Sequence, residues 1–482
     1  MTGPGIRSRA RGFFEMDARG VRCRDEIVGG ITTFVTMAYI IVLNPAILAA
    51  AGIPTGPSTV ATILVAGLGT IAMGLVANRP IAVAPYMGEN AFIAFGLASL
   101  GIGWRLRIGA VLISGVLFLV VTVLGARGWL ANSLSPSMKH AFGAGIGLFL
   151  CFVGLYETGI VKSYAVGRPA TALFPPGTIF DPGSPIPRSG IPVPLEIGPV
   201  ASPPVLLAIF GVVLIAVLIA LRLKGAILIG MALTAALGIA AGMGRAPVGI
   251  AAIPDFFGPD GLAAIAGELR FREIGADGQV LSLFSWTLLP VLLTLFLMDF
   301  LDTIGTLVGV GAAGNMLDEN GNFPQIEKPM LVDAGACIVS ALLGTSTSGA
   351  YIESAAGVKD GARTGLAALV TGTLFLVSLF FVPLVAPLQS LQYAYGPALV
   401  VVGILMMDSI REISFDDLSE AVPAFLTILM MAFTTNIANG LTAGLVIYPL
   451  VKVATGRARD LNGGMLVLAG LCALYYLSGL VH

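Results

Sequence analysis

Residues 81–92 read Ile81-Ala-Val-Ala-Pro85-Tyr-Met-Gly-Glu89-Asn90-Ala-Phe92, and residues 344–357 read Gly344-Thr-Ser-Thr-Ser-Gly349-Ala-Tyr-Ile-Glu353-Ser-Ala-Ala-Gly357. Both stretches are apolar yet broken by Gly, Pro, Ser and Thr. The residue before a proline avoids helical geometry, so Ile81 to Ala84 reads as extended, and Pro85 suits the first turn of a half-helix that follows. The second stretch repeats the plan, a small polar lead-in followed by a short helix. A half-helix that starts within a membrane turns free N–H groups toward a polar solute. Irregular backbone at that depth is tolerated only inside protein or along a wet cavity.

The remaining sequence makes the membrane the setting. Of 482 residues, 56% are hydrophobic and 11% charged, with a mean hydropathy of +0.94. A soluble domain carries about 25% charged residues, so this chain cannot cover a water-facing surface. A soluble enzyme, a nucleic-acid binder and a disordered scaffold are excluded. Net charge is -1, which gives no field for a polyanionic partner. Cys23, Cys151, Cys337 and Cys472 lie far apart, and His140 and His482 are the two histidines. That leaves no disulfide framework and no metal spacing, and no cofactor is implied. The 62 glycines and 29 prolines exceed what plain apolar helices use.

A spanning helix needs about 20 apolar residues. The run from Ile27 to Asn78 contains no charge and is divided by Gly-Ile-Pro-Thr-Gly-Pro at 52–57. Further spans are expected at 108–126, 138–157, 204–221, 225–243, 286–312, 329–344, 364–387, 394–410, 420–437 and 439–456. With the two broken segments the total is fourteen. The stretch 463–481 is left as a fifteenth span or a helix lying on the membrane. Arg7, Arg9, Arg11, Arg19, Arg22 and Arg24 place the tail 1–26 in the cytoplasm of a cell-membrane protein, without a cleavable signal. Alternation then puts most later Lys and Arg inside, whereas Arg105 and Arg107 violate the rule. Loops 158–203 and 244–285 fall outside. The first has eleven prolines from Pro169 to Pro204 and reads as an extended cap or a floppy loop.

Pro85 lies 58 residues after Ile27, and Thr347 lies 59 residues after Leu288. The expected plan is therefore two inverted seven-span repeats, 27–243 and 286–456, with 457–482 as a C-terminal tail. Matched broken segments in two such halves are the best sequence pointer to a transporter site.

Between them, the eighth span carries Leu297-Met-Asp299-Phe-Leu-Asp302-Thr303-Ile-Gly305-Thr306. Asp299 and Asp302 are spaced i, i+3 and share roughly one face. Intramembrane acids are expensive and default to functional roles. Asp302, Glu353, Glu89 and Asp299 are the candidates for proton coupling, with Lys359 the one basic residue read beside them. Asp302, Glu353, Asn90 and Thr303 are candidates for binding solute, with Phe92, Ala350 and Tyr351 lining a slot for a flat molecule. Structural hydrogen bonding is the competing reading for the acids, and core packing for the rings.

At these residues the chain resembles the AzgA-type purine permeases of the nucleobase–cation symporter-2 family. The resemblance runs through Glu26-Ile-Val-Gly-Gly-Ile-Thr-Thr-Phe, Asn44-Pro45, Ala84-Pro-Tyr-Met-Gly-Glu-Asn90, Asp302-Thr303-Ile-Gly305-Thr306, Glu353-Ser-Ala-Ala-Gly357 and Ala421-Val-Pro-Ala-Phe. It implies an all-α polytopic fold with core and gate domains, and short strands in the third and tenth segments. It further implies uptake of adenine, guanine or hypoxanthine with protons. The family's binding acid in the eighth span falls on Asp302, its tenth-span glutamate on Glu353 and its third-span asparagine on Asn90. Glu89 departs from the apolar residue that many purine members carry there.

The partners implied are a small nucleobase, a proton or sodium ion and the bilayer, with a homodimer left open. The rival solutes are uracil, xanthine or an anion on the same fold. An intramembrane enzyme with an Asp299–Asp302 dyad is disfavoured, because two acids on one helix flank a scissile bond poorly and no nucleophile–base pair accompanies them.

Overall fold

The structure, a computed structural model, describes residues 11–97, 101–126, 129, 133–163, 195–258, 261–274, 280–285, 288–319 and 323–477. The first half runs α1 (Cys23–Met37), α2 (Ile40–Ala49), α3 (Thr55–Ala72), β1 (Val83–Pro85), α4 (Met87–Ala91), α5 (Trp104–Val123) and α6 (Pro136–Glu157). It continues through the pair β2 (Val161–Ser163) and β3 (Leu195–Ile197) to α7 (Pro203–Ala220) and α8 (Ala226–Ala240). A hairpin of β4 (Arg272–Ile274) and β5 (Val280–Ser282) leads into the second half. There α9 (Leu289–Ala313) and α10 (Glu327–Leu342) precede β6 (Ser348–Ala350) and α11 (Ser354–Lys359). The chain ends with α12 (Gly365–Ser378), α13 (Gln392–Met406), α14 (Leu418–Phe433), α15 (Ile437–Ala454) and α16 (Gly463–Leu477).

Among the described residues, nine helices are long and apolar enough to cross a membrane. The shorter α8, α10 and α14 and the two broken segments complete fourteen membrane segments in two inverted sets. Several helices start on caps written in the sequence. Ser135 accepts from Met138 N at 3.2 Å with Pro136 at the first position, and Thr364, Asp417 and Asn436 cap α12, α14 and α15 in the same way. Each satisfies an N–H that lipid could not. The buried carboxylate of Glu26 does more, accepting from Arg363 N at 2.9 Å, Thr364 N at 3.1 Å and Ala367 N at 3.2 Å. It thereby fastens α1 to the start of α12.

The helices sort into two packed groups. The core group joins α1, α3, α5, α9, α10, α11 and α12, and the gate group joins α6, α7, α8, α13, α14 and α15. Glycines set the closest crossings. A Cβ on Gly147 would stand 2.6 Å from the Gly403 carbonyl between α6 and α13, and one on Gly372 would stand 2.6 Å from the Gly67 carbonyl between α12 and α3. Small residues let membrane helices approach where no hydrophobic force drives them together.

The structure bears on three details of the sequence reading. α16 packs against α15. Near its end the Tyr476 hydroxyl bonds Thr442 at 2.9 Å and the Asn439 carbonyl at 3.3 Å, close to the start of α15. Met465, near the start of α16, lines a recess with Tyr448, toward the far end of α15. α16 therefore runs back antiparallel along α15. Arg105 and Arg107 break the charge rule because both have local partners. Arg105 pairs with Glu268 at 2.8 Å and lies over the Trp104 ring. The buried Arg107 donates to the carbonyls of Ile93 at 2.7 Å, Ala94 at 2.9 Å and Ile102 at 2.7 Å. The proline-rich loop is pinned at its base by β2 and β3 and by Lys162–Glu196 at 2.7 Å, while 164–194 lie outside the described residues.

Candidate functional site

The two broken segments meet. β1 and β6 pair antiparallel, with Val83 opposite Ala350, Ala84 opposite Gly349 and Pro85 opposite Ser348. Tyr86 N donates to the Thr347 carbonyl at 3.0 Å and Tyr351 N to the Ala82 carbonyl at 2.9 Å, which extends the ladder at both ends. A two-stranded ribbon in a membrane has outer edges to satisfy. Thr70 does so on one side, accepting from Val83 N at 2.9 Å and donating to its carbonyl at 3.0 Å. Ser354 accepts from Ala82 N at 2.9 Å, and Ser340 donates to Ser348 Oγ at 2.6 Å. Gly349 is obligatory, since any Cβ there would enter the Tyr86 ring.

From this ribbon the two short helices depart, α4 carrying Glu89 and Asn90, and α11 following directly on Glu353. Neither α4 nor α11 has a side-chain cap. Tyr351 and Tyr86 lie parallel, 6.1 Å between centroids and 9° between planes, and the Tyr351 hydroxyl donates to the Pro85 carbonyl.

The candidate residues differ in environment. Asp302 lines a cavity of about 270 Å³ formed by α6, α9, α14 and α15, and its carboxylate accepts no hydrogen bond from the described residues. Glu353 is half-buried, with Oε1 accepting from the Tyr39 hydroxyl at 2.5 Å. Both oxygens of the fully buried Glu89 lack partners among the described residues. Asn90 Oδ1 accepts from Ser346, while its buried Nδ2 has no partner among them. Asp299 points the other way, into the core, accepting from Ser114 at 3.0 Å and Cys337 at 3.7 Å. Thr303 is buried, donating to Asp333 and contacting the Tyr86 hydroxyl at 3.0 Å. Phe92 and Ala350 are buried within the core, and of the candidates read from the sequence Asp302 alone is among the cavity's lining residues.

Two features escaped the linear reading. Asp333 in α10 is a further buried intramembrane acid, with Oδ1 unpaired among the described residues. The signal was present, since it interrupts the apolar run 329–344 as plainly as Asp302 interrupts its own. Lys139 and His140 of α6 also line the cavity, so Lys359 is not the basic residue nearest to it in function. No local pattern joins positions 139 and 302. Among the described residues, no cluster of His, Cys, Asp and Glu is arranged to hold a metal ion.

Comparison with known proteins bears on these arrangements. A model of the Permease family matches residues 24–175 and 189–442. The chain is 38% identical over 476 residues to a guanine/hypoxanthine permease of Bacillus subtilis (strain 168), covering 96% of this chain and 99% of that one. It is 36% identical over 463 residues to an adenine permease of Escherichia coli (strain K12), covering 96% of this chain and 95% of that one. Among solved structures, the transmembrane domain of a cyanobacterium bicarbonate transporter superposes with a TM-score of 0.58 at 15% identity, covering 87% of this chain and 97% of that one. At that identity the likeness is one of fold alone.

Proposed function

The chain belongs to the Permease family and is a multi-pass membrane transporter rather than an enzyme, and from that premise we propose that it imports purine nucleobases together with protons. The observation that carries this reading is the free carboxylate of Asp302 on the wall of the cavity between the core and gate helices. A carboxylate there accepts ring and exocyclic N–H groups of a neutral base. Glu353, fixed by Tyr39, is the second acceptor, and the unpaired Asn90 Nδ2 is a donor for ring nitrogens or carbonyls. A cavity of about 270 Å³ lies near the small end of the range for ligand sites, as suits a single flat ring system.

The N-terminus is cytoplasmic in this reading, by the weight of its six arginines. The repeat boundaries are 27–243 and 286–456. Asp302, Glu353 and Glu89 share the coupling proton, and Asp299, held by Ser114 and Cys337, tunes rather than binds. Lys139 and His140 at the cavity favour an anion as the second reading. Asp302, the one acid among the cavity's lining residues, weighs against it.

Uptake of radiolabelled adenine, guanine and hypoxanthine by cells lacking their own purine carriers tests the reading. Competition by purines but not by bicarbonate or uracil, with collapse under an uncoupler and indifference to sodium, is the expected result. Bicarbonate competition or a sodium requirement overturns the assignment of solute or of ion, respectively.

A further inference from the structure

At the end of the molecule where the N-terminal segment packs, a recess of about 490 Å³ is lined by Arg19, Arg79, Gly314, Asn315, Met316 and Arg363. Three guanidinium groups share its wall and no carboxylate does. Its position matters as much as its charge. Arg79 stands just before the extended segment that becomes β1, Gly314 to Met316 follow the end of α9, and Arg363 follows α11. These are the segments that carry Glu89 and Asn90, Asp302, and Glu353.

The arginines have an ordinary role, which accounts for only part of them. Arg19 Nη1 donates to the carbonyls of Asn78 at 3.0 Å and Arg363 at 2.9 Å, and its Nη2 pairs with Glu15 at 3.0 Å. Arg363 Nη1 donates to the carbonyls of Val358 at 2.5 Å and Ala362 at 2.7 Å. Capping of helix C-termini by basic side chains explains those bonds. It does not explain Arg79, which donates from Nη2 to the Pro324 carbonyl at 2.8 Å and lies over the Phe323 ring. Its Nε is buried without an acceptor among the described residues. A buried donor left unpaired costs free energy, and a charged one costs more. Carbonyl bonds also leave the net charge in place, and among the described residues that line the recess no carboxylate offsets the three arginines.

A planar guanidinium fork matches the tetrahedral oxygens of phosphate, and several forks around one recess are the usual answer to that group. We propose that this recess is a phosphate-binding site, distinct from the transport cavity, whose ligand bridges the three segments that carry the transport residues. Arg79 Nη1 and Arg363 Nη2, which donate to none of the described residues, supply the donors. A bound phosphate stabilises the folded core and restrains the site-bearing segments relative to one another. The same chemistry fits the headgroup of an anionic phospholipid and the phosphate of a soluble metabolite. The inference does not depend on which base is carried.

The experiment uses the full-length protein in two arms. In detergent without lipid, thermal unfolding is followed against inorganic phosphate at constant ionic strength, with chloride as the control. In vesicles, unfolding and purine uptake are compared between phosphatidylglycerol–phosphatidylcholine mixtures and phosphatidylcholine alone. Stabilisation in the first arm identifies a soluble phosphate, and in the second arm alone a lipid headgroup. In whichever arm responds, Arg79→Gln weakens the response about tenfold, the share of one charge-assisted donor group. Arg79→Lys, which keeps the charge and loses the fork, weakens it less. Arg79→Lys also serves as the test if Arg79→Gln fails to fold. No response in either arm, or a response equal in wild type and both Arg79 variants, overturns the proposal.

Discussion

Asp302 and Asp299 are three residues apart on one helix and stand in different surroundings. Asp299 has hydroxyl and thiol partners, whereas Asp302 faces open space. Asp302→Asn is expected to abolish purine uptake while leaving the amount of protein in the membrane unchanged, as read by transport assay and immunoblot. Tyr39→Phe removes the donor that fixes Glu353. A hydrogen bond to a charged group is worth about 1.5–3 kcal/mol, so the apparent KM is expected to rise roughly tenfold or more with little change in protein level. An unchanged KM contradicts the role given to Glu353. These acids were legible in the sequence because an ionisable group inside an apolar run has so few bland explanations. Asp333 met the same criterion in α10. Tyr39 and Lys139 did not stand out, because tyrosines and span-end lysines are common, and only the folded chain brings them to Glu353 and Asp302.

The broken elements are where sequence and fold agree most closely. The extended backbone read at Ile81 to Ala84, and the short strands that the family resemblance implies in the third and tenth segments, are found as β1 and β6. Their pairing with each other was not foretold, because period-2 and turn signals are local and a ribbon between residues 83–85 and 348–350 is not. Arg107 is the element-scale counterpart. It looked like a misplaced charge, and it serves as the tie for the far end of the first half-helix through the carbonyls of Ile93 and Ala94. Arg107→Met leaves buried carbonyls without partners, at about 1–3 kcal/mol for each group. A clear drop in melting temperature in detergent is expected, together with loss of uptake. A melting temperature equal to wild type contradicts the role.

At the scale of the whole molecule, the core and gate groups are joined at one end by an ion pair. Lys224, in the turn between α7 and α8, pairs with Asp360 just past α11, and Thr32 Oγ1 donates to the same oxygen at 2.5 Å. Desolvation pushes the Asp360 carboxyl up, but bonds from Lys224 and Thr32 outweigh it and hold it below the ordinary 3.8. A depressed carboxylate contributes stability above its unfolded value and loses it only as pH falls through the lower folded value. The pair therefore stays intact from pH 7 to pH 5, and a change in uptake across that window belongs to other groups. Lys224→Met is expected to leave KM unchanged and to raise the maximal rate by no more than about fivefold, since an exposed pair contributes roughly 1 kcal/mol or less. The most direct test of the central claim is accumulation of radiolabelled hypoxanthine or adenine in vesicles under an imposed pH gradient, acid outside, with wild type and Asp302→Asn side by side. Wild type is expected to concentrate the base above its external level and to lose it on adding an uncoupler, while Asp302→Asn stays at background. Gradient-driven accumulation by Asp302→Asn at the wild-type rate, or none by wild type, contradicts the account.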